Sequence, residues 1–220
     1  MIRDLFNTIY SRISILITPP FCVGCSLFLE QETVFCTACW SAVIPVAPLK
    51  VPVNRTKTMF IHALGSYAFP LKKLILGKNN RAIASSTLLG HALWQHTLVS
   101  HLNFDYVVPI PLHWTRKAWR GFNQAEEIGA VIAAQSHKPL IKVLVRHKKT
   151  KFQAECSKAE RASNIADAFG LSDNALCIRG KDILLVDDLT TTGATLLQAS
   201  KLLYKAGARS VIAVVGARVI

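Results

Sequence analysis

The sequence predicts an α/β protein in which a parallel sheet is flanked by helices and a small cysteine-rich module precedes the sheet. Ile183 to Val186 form an uninterrupted apolar run, typical of a strand buried on both faces. A helical pattern of leucines follows from Leu196 to Leu203. Hydrophobic residues make up 51% of the chain, which is enough to cover such a sheet on both sides. We therefore expect an N-terminal helix, cysteine module and linker over residues 1–57, and the main domain over residues 58–220.

The N-terminal segment, residues 1–18, carries apolar residues at helical spacing and predicts an amphipathic helix that ends at Pro19 and Pro20. Two roles stay open for it: packing onto the rest of the protein, or docking to a membrane surface or a partner. It has neither the continuous apolar stretch nor the cleavage site of a signal peptide. No apolar run in the chain approaches the about 20 residues that span a bilayer.

Four of the six cysteines form two Cys-x-x-Cys pairs, Cys22 with Cys25 and Cys36 with Cys39. Two such pairs can bring four thiolates to one tetrahedral ion, and zinc is the metal we expect. Four sulfur ligands leave no open coordination position, so the role would be structural. Two disulfides or four free thiols are the alternatives. Without a secretion signal, this cysteine usage indicates a reducing compartment, and we expect a cytoplasmic protein.

The charge balance is strongly basic, with 26 lysines and arginines against 13 acidic residues and a formal net charge of +13. Such an excess favours a polyanionic partner. Nucleic acid, an anionic membrane surface and a multiply phosphorylated small molecule all fit, and charge alone does not choose among them.

The remaining elements follow from periodicity and from the positions of proline and glycine. In chain order we predict an extended linker (41–57), a strand (63–69), a helix opened by Pro70, a helix (81–102), a strand (105–111), a basic loop, a helix through 128–134, a strand (140–145), a basic polar stretch (146–164) and a last strand (210–216). Ligands of doubly wound sheets collect at the carboxyl ends of the strands. The basic loop and the stretch after Val186 therefore face the same crevice.

The candidate ligand-binding residues lie where the predicted central strand ends. Asp187 and Asp188 close the apolar run, and a turn with Thr191 and Thr192 leads to Gly193 and the start of a helix. A helix N-terminus binds phosphate through its free N–H groups, and glycine allows close approach of the backbone. Two carboxylates would repel phosphate, but they suit a neighbouring diol or a hydrated magnesium ion. A strand and helix joined by a threonine-capped turn is the simpler alternative.

At these residues the chain resembles the type I phosphoribosyltransferases, whose motif for phosphoribosyl pyrophosphate (PRPP) has the same pattern of apolar run, acidic pair and threonine–glycine turn. Further motifs extend the resemblance to the competence-associated ComF family. They are the cysteine pairs, Pro109-Ile-Pro111, Arg120-Gly-Phe-Asn-Gln124, and Gln153, Ser157, Arg161 and Asn164 in order. The resemblance implies a type I phosphoribosyltransferase-like fold with an N-terminal zinc knuckle. It also implies a role in handling incoming single-stranded DNA during natural transformation, with helicase and recombination-mediator partners.

We predict the following ligand contacts from the motif and the charge pattern. Asp187 and Asp188 bind the ribose hydroxyls of PRPP, and magnesium bridges the hydroxyls and the pyrophosphate. The 5-phosphate contacts are Thr191, Thr192, Gly193, Ala194 and Thr195. Arg116, Arg120 and Gly121 are the pyrophosphate-binding candidates. Candidates for a lid or a DNA contact are Arg146, Lys148, Lys149, Lys151 and Arg161.

Transfer through an oxocarbenium-like sugar requires positioning and charge stabilisation, so no residue is assigned as catalytic acid, base or nucleophile. The acceptor is not indicated by the sequence. Two alternatives to a phosphoribosyltransferase stay open: a non-catalytic sensor of PRPP or a nucleotide, and a single-stranded-DNA-binding accessory protein.

Overall fold

The computed structural model of the chain describes residues 21–30, 33–77, 82–112, 121–146 and 169–220. The predicted helix over residues 1–18 lies outside this part of the chain. Seven strands are assigned in the described ranges: β1 (Leu49–Pro52), β2 (Thr58–Ser66), β3 (Tyr106–Pro109), β4 (Leu144–Arg146), β5 (Phe169–Leu171), β6 (Asp182–Thr190) and β7 (Ser210–Arg218). The α-helices of the same ranges are α1 (Thr37–Ser41), α2 (Leu71–Leu76), α3 (Ala82–His96), α4 (Gln124–Ser136) and α5 (Ala194–Lys205). Two 3-10 helices cover Leu98–His101 and Asp173–Ile178.

The main sheet has the strand order β1-β2-β7-β6-β3. β2, β7, β6 and β3 run parallel, and β1 adds an antiparallel edge. Val186 of β6 lies in register with Pro109 of β3 and Val214 of β7. β4 and β5 pair separately as an antiparallel ribbon. The fold is thus the α/β, mostly parallel arrangement that the sequence predicts.

Helices cover both faces of the sheet, which explains the continuous apolar run of β6. Ile183 and Leu185 pack with residues of α5, and Leu184 and Val186 pack in the cluster that contains residues of α3 and α4. All four side chains are at most 1% exposed. Because each such side chain contributes about 1.5–3 kcal/mol on burial, this strand anchors the domain.

Some predicted boundaries are wrong, and the reasons are local. The second predicted helix ends at His96, where the Thr97 hydroxyl donates to the Leu93 carbonyl (2.6 Å) and accepts from the Val99 N–H (3.3 Å). These two bonds end α3 and start the 3-10 helix. The predicted linker contains β1, because Val51 finds a buried place in the sheet.

The strand predicted from Leu140 is also shorter than expected, since β4 begins only at Leu144 and Leu140 makes a single bridge to Val107. In the described ranges no helix combines the length and apolarity needed to cross a membrane.

Candidate functional site

The acidic pair lies in the carboxyl-terminal half of β6, which continues to Thr190, directly after Val186, where the pairing with β3 ends. The Ile110 N–H donates to the Val186 carbonyl (2.9 Å), so the two strands stay joined up to the residue before Asp187. Asp187 and Asp188 are half-buried, whereas Thr191 and Thr192 in the following turn are exposed. The acidic pair and the threonine turn therefore both lie toward the carboxyl ends of the parallel strands.

Gly193 joins this turn to α5 and has a left-handed φ of +77°, which L side chains rarely adopt. A Cβ atom at this position would lie 2.8 Å from Ile61 Cδ1 in β2. Gly193 is the N-cap of α5, and the first intrahelical bond runs from the Leu197 N–H to the Gly193 carbonyl (2.8 Å). The N–H groups before Leu197 form the helix tip, and glycine has no side chain to cap them. Thr195 in the first turn is half-buried.

The surroundings of Asp187 shift the pKa of its carboxyl group. Burial and the adjacent charge of Asp188 raise the pKa of Asp187 well above its ordinary value, although a backbone bond and Arg146 act in the opposite direction. That backbone bond is donated by the Asp188 N–H to Asp187 Oδ1 (2.9 Å). A carboxyl in this state gains from a cation or a hydroxyl donor placed beside it.

Arg146, at the end of β4, supplies positive charge on the Asp187 side of the site. Its guanidinium lies 5.2 Å from the ring centroid of Phe169 in β5, a cation–π contact that fixes its direction. The sequence offered Arg146 only as a lid or DNA-contact candidate, and the structure brings it near the acidic pair through the β4–β5 ribbon.

Asp188 contacts a different wall of the site. It lines a cavity of about 10 Å³ with Leu74 and Ile75 of α2, Ser85, Ser86 and Leu89 of α3, and Gln124 of α4. Consecutive strand residues direct their side chains to opposite faces, which separates the surroundings of the two carboxylates. Sequence reasoning did not assign a role to Gln124 or to Ser86, which is 4% exposed.

Asn123 organises the loop that leads to Gln124. Its Oδ1 accepts from the Ala125 N–H (3.2 Å), and its Nδ2 donates to the Ile110 carbonyl (3.0 Å) and to Glu126 Oε1 (3.2 Å). The residue thereby ties the start of α4 to the end of β3. The sequence carries the signal, since asparagine with glutamate three residues later matches a capping box.

Of the residues predicted to bind pyrophosphate, to form a lid or to contact DNA, only Gly121 and Arg146 lie in the described part of the chain. Gly121 lies just before Asn123, is exposed and has a φ of +79°. The other basic candidates, Arg116, Arg120, Lys148, Lys149, Lys151 and Arg161, lie outside the described residues.

The four cysteines of the two pairs converge as predicted. Their Sγ atoms all lie within 4.8 Å of one another, and Cys25 Sγ is 3.6 Å from Cys36 Sγ. Tetrahedral zinc with bonds of about 2.3 Å separates its sulfur ligands by about 3.8 Å, so this cluster could hold zinc with small adjustments.

The pKa values of two of these thiols, Cys22 and Cys39, are shifted in opposite directions. Burial opposes ionisation of Cys22, but N–H groups of the surrounding backbone lower its pKa to about 6. One of these bonds comes from the Cys36 N–H to Cys22 Sγ (3.2 Å). Burial and the hydrogen bonds to the neighbouring thiols raise the pKa of Cys39 to about 12.

A larger cavity, of about 400 Å³, opens at the opposite end of the sheet. Three of its charged groups interact with one another: Arg209 Nε donates to Asp182 Oδ1 (2.8 Å), and the same guanidinium lies 3.9 Å from Asp105. These contacts lower the pKa of Asp182, with the hydrogen bond from Arg209 as the main cause. This cavity lies at the amino end of β6, away from the acidic pair for which the sequence predicts the ligand contacts.

The phosphoribosyl transferase domain family matches residues 96–219, more than half of the chain. The chain belongs to this family. The matched phosphoribosyl transferase domain runs from the end of α3 to the end of β7. It includes Asn123, the acidic pair and Gly193, but not the four cysteines.

The chain is also similar to two competence proteins and to a DNA utilization protein. Competence protein F of Haemophilus influenzae is 34% identical over 108 residues, which cover 49% of this chain and 47% of that protein. Competence protein ComFC of Bacillus subtilis is 38% identical over 101 residues, 46% of this chain and 39% of that protein. The chain thus spans about half or less of the length of these two relatives. DNA utilization protein YhgH of Salmonella typhimurium is 27% identical over 210 residues, with 86% of both chains covered. These relatives confirm the resemblance to the ComF family.

Among solved structures, the chain is similar to the glutamine PRPP amidotransferase from B. subtilis complexed with ADP and GMP. The TM-score is 0.45 at 17% sequence identity, with 72% of this chain and 35% of that chain covered.

Proposed function

We propose that this protein binds PRPP with magnesium and transfers the phosphoribosyl group to an acceptor, as part of the handling of incoming single-stranded DNA in the cytoplasm. The observation that supports the proposal is the acidic pair in the carboxyl-terminal half of β6, with the glycine-initiated tip of α5 beginning five residues after Asp188. A carboxylate pair beside a free helix N-terminus matches a diol beside a phosphate, which is the chemistry of a phosphorylated ribose.

The ligand contacts follow from this placement. Asp187 and Asp188 accept hydrogen bonds from the ribose hydroxyls, and the 5-phosphate lies at the backbone N–H groups after Gly193, with the hydroxyls of Thr191, Thr192 and Thr195 around it. Magnesium, when bound with PRPP, neutralises the pyrophosphate leaving group. Arg116, Arg120 and Gly121 bind the pyrophosphate. Zinc at the four cysteines has a structural role.

Arg146 has a more specific role than a general basic contact. Its guanidinium lies over Phe169 and acts on Asp187, and we infer that its positive charge lies beside the bound sugar. In the proposed complex this charge balances the carboxylates and the departing pyrophosphate without the reorganisation that a mobile side chain requires.

Binding of PRPP to zinc-loaded protein in the presence of magnesium tests the first half of the proposal, by isothermal titration calorimetry. Asp187→Asn should abolish binding, because it removes an anionic acceptor. Asp182→Asn, the same change at the opposite end of β6, should leave PRPP affinity nearly unchanged. Absence of PRPP binding by folded wild-type protein would reject the proposal.

Pyrophosphate release across a panel of nucleobases and nucleosides tests the second half. Release that depends on Asp187 supports a phosphoribosyltransferase. PRPP binding without release for any acceptor favours the alternative of a non-catalytic PRPP or nucleotide sensor.

A single-stranded-DNA-binding accessory role is the second candidate, and a polyanionic partner of this kind fits the net charge of +13. In that case a competence helicase and a recombination mediator are the expected protein partners. Oligonucleotide binding should weaken steeply with salt, and an Arg116→Ala and Arg120→Ala double variant should weaken it further. Asp187→Asn should retain it, which separates this role from phosphoribosyl transfer.

A further inference from the structure

The four-cysteine module packs directly onto the domain that carries the acidic pair. We propose that this module fixes the wall of the phosphoribosyl site through helix α2, with Lys73 as the positioning residue that joins them. The inference rests on the proposed function, because it concerns affinity for PRPP. It adds that metal binding at the cysteines and PRPP binding at Asp187 and Asp188 stabilise each other.

The first link is a shared hydrophobic core. Cys22 and Cys39 are 1% and 4% exposed, and they belong to the same buried cluster as Leu74 of α2 and Leu184 and Val186 of β6. Val186 is the residue directly before the acidic pair. A module whose own ligand residues are part of this core cannot change its packing without affecting the domain.

The second link is a direct bond from Lys73 of α2. Its Nζ donates to the Gly24 carbonyl (2.7 Å), inside the first Cys-x-x-Cys turn. Gly24 packs closely against the cluster, since a Cβ atom added there would lie 2.6 Å from Cys39 Sγ. Lys73 therefore attaches α2 to a backbone point that lies against one of the four sulfurs.

The third link runs from α2 to Asp188. Leu74 and Ile75 line the cavity beside this carboxylate, and its volume of about 10 Å³ leaves room for roughly one water molecule at most. With so little empty space, a shift of α2 must change the surroundings of Asp188. A well-ordered cysteine module then keeps α2, and the wall of the site that α2 forms, well ordered too.

Linkage makes this proposal quantitative, because coupling between two binding events acts equally in both directions. Zinc should strengthen PRPP binding, and PRPP with magnesium should strengthen zinc binding by the same factor. Couplings of this kind are about 5-fold to 150-fold. We expect a factor of about 5 or more, because a direct hydrogen bond and a shared hydrophobic core join the two sites.

The test uses full-length protein. Zinc affinity is measured by competition with a zinc-selective chromogenic chelator, with and without saturating PRPP and magnesium, and PRPP affinity is measured by calorimetry. Lys73→Gln should retain zinc binding but lose most of the coupling, with PRPP affinity reduced about 5-fold. Lys72→Gln is the matched control: this neighbouring lysine on the same helix lies over the Tyr67 ring (5.8 Å).

The outcomes separate the two proposals. If wild-type protein does not bind PRPP at all, the proposed function fails. If it binds PRPP but its zinc affinity is the same with and without PRPP, the inference is overturned. Equal PRPP affinities of the Lys73→Gln and Lys72→Gln variants would remove Lys73 from the link. Should Lys73→Gln fail to take up zinc, the comparison on wild-type protein still decides whether the coupling exists.

Discussion

Replacement of Gly193 by alanine places a methyl group where β6 turns into α5. Two separate costs arise there. The backbone has a left-handed φ of +77°, and the added Cβ would lie 2.8 Å from Ile61 Cδ1. The same change also shifts the helix tip that the proposed phosphate contact requires.

The two costs can be estimated separately. A left-handed conformation costs a non-glycine residue about 1–2 kcal/mol, and the reduced freedom of the unfolded chain returns about 0.4–1 kcal/mol. The contact with Ile61 adds about 1 kcal/mol, at the low end for overpacking, because the end of a flexible side chain can rotate away. The net destabilisation by Gly193→Ala should be about 2 kcal/mol.

Gly180→Ala provides the matched control. Gly180 has a similar φ of +70°, but nothing lies within 4 Å of an added Cβ. The free energy of unfolding of Gly180→Ala should fall only by the cost of the left-handed backbone, about 1 kcal/mol, and this variant should keep full PRPP affinity. Urea unfolding gives both stabilities, and calorimetry gives PRPP affinity. Equal unfolding free energies for the two variants, with PRPP affinity retained in Gly193→Ala, would refute the reasoning.

Three further predictions test the acidic pair, the cysteine cluster and the α4 cap. Because the pKa of Asp187 is raised in the folded protein, the unfolded chain loses this proton first as pH rises above the ordinary aspartate range, so folding stability falls with pH. Asp187→Asn should therefore raise the melting temperature of ligand-free protein at pH 8 more than at pH 5; an equal shift at both would contradict this. Cys39→Ser should abolish zinc binding and lower the melting temperature, by about 2–4 °C for each kcal/mol lost, whereas the exposed Cys177→Ser should change neither. Asn123→Ala should cost about 1–2 kcal/mol in urea unfolding, and Asn123→Ser, which keeps a capping oxygen but loses the bond to Ile110, should recover part of it.

Much of the fold was predictable because local patterns carry it. A strand covered on both faces must be apolar at every position, so Ile183 to Val186 indicated both the strand and its place inside the sheet. The cysteine spacing indicated one tetrahedral cluster, and the four sulfurs do converge. Boundaries were predicted less well. The bonds of Thr97 end α3 at His96, six residues before the predicted end near Leu102, and side-chain competition of this kind leaves little trace in periodicity.

The sequence by itself determined which chemical groups follow one another: the acidic pair, the threonine–glycine turn and the two cysteine pairs. Only the tertiary structure decided that Arg146 lies near Asp187, that Asp188 packs beside Gln124 and α2, and that Lys73 reaches Gly24. The physical reason is the distance along the chain. Ligand type and turn geometry depend on residues that are neighbours in the sequence. The contacts of Arg146, Asp188 and Lys73 join segments that are far apart in it. Their distances are set by how the helices pack on the sheet, and no local pattern records that packing.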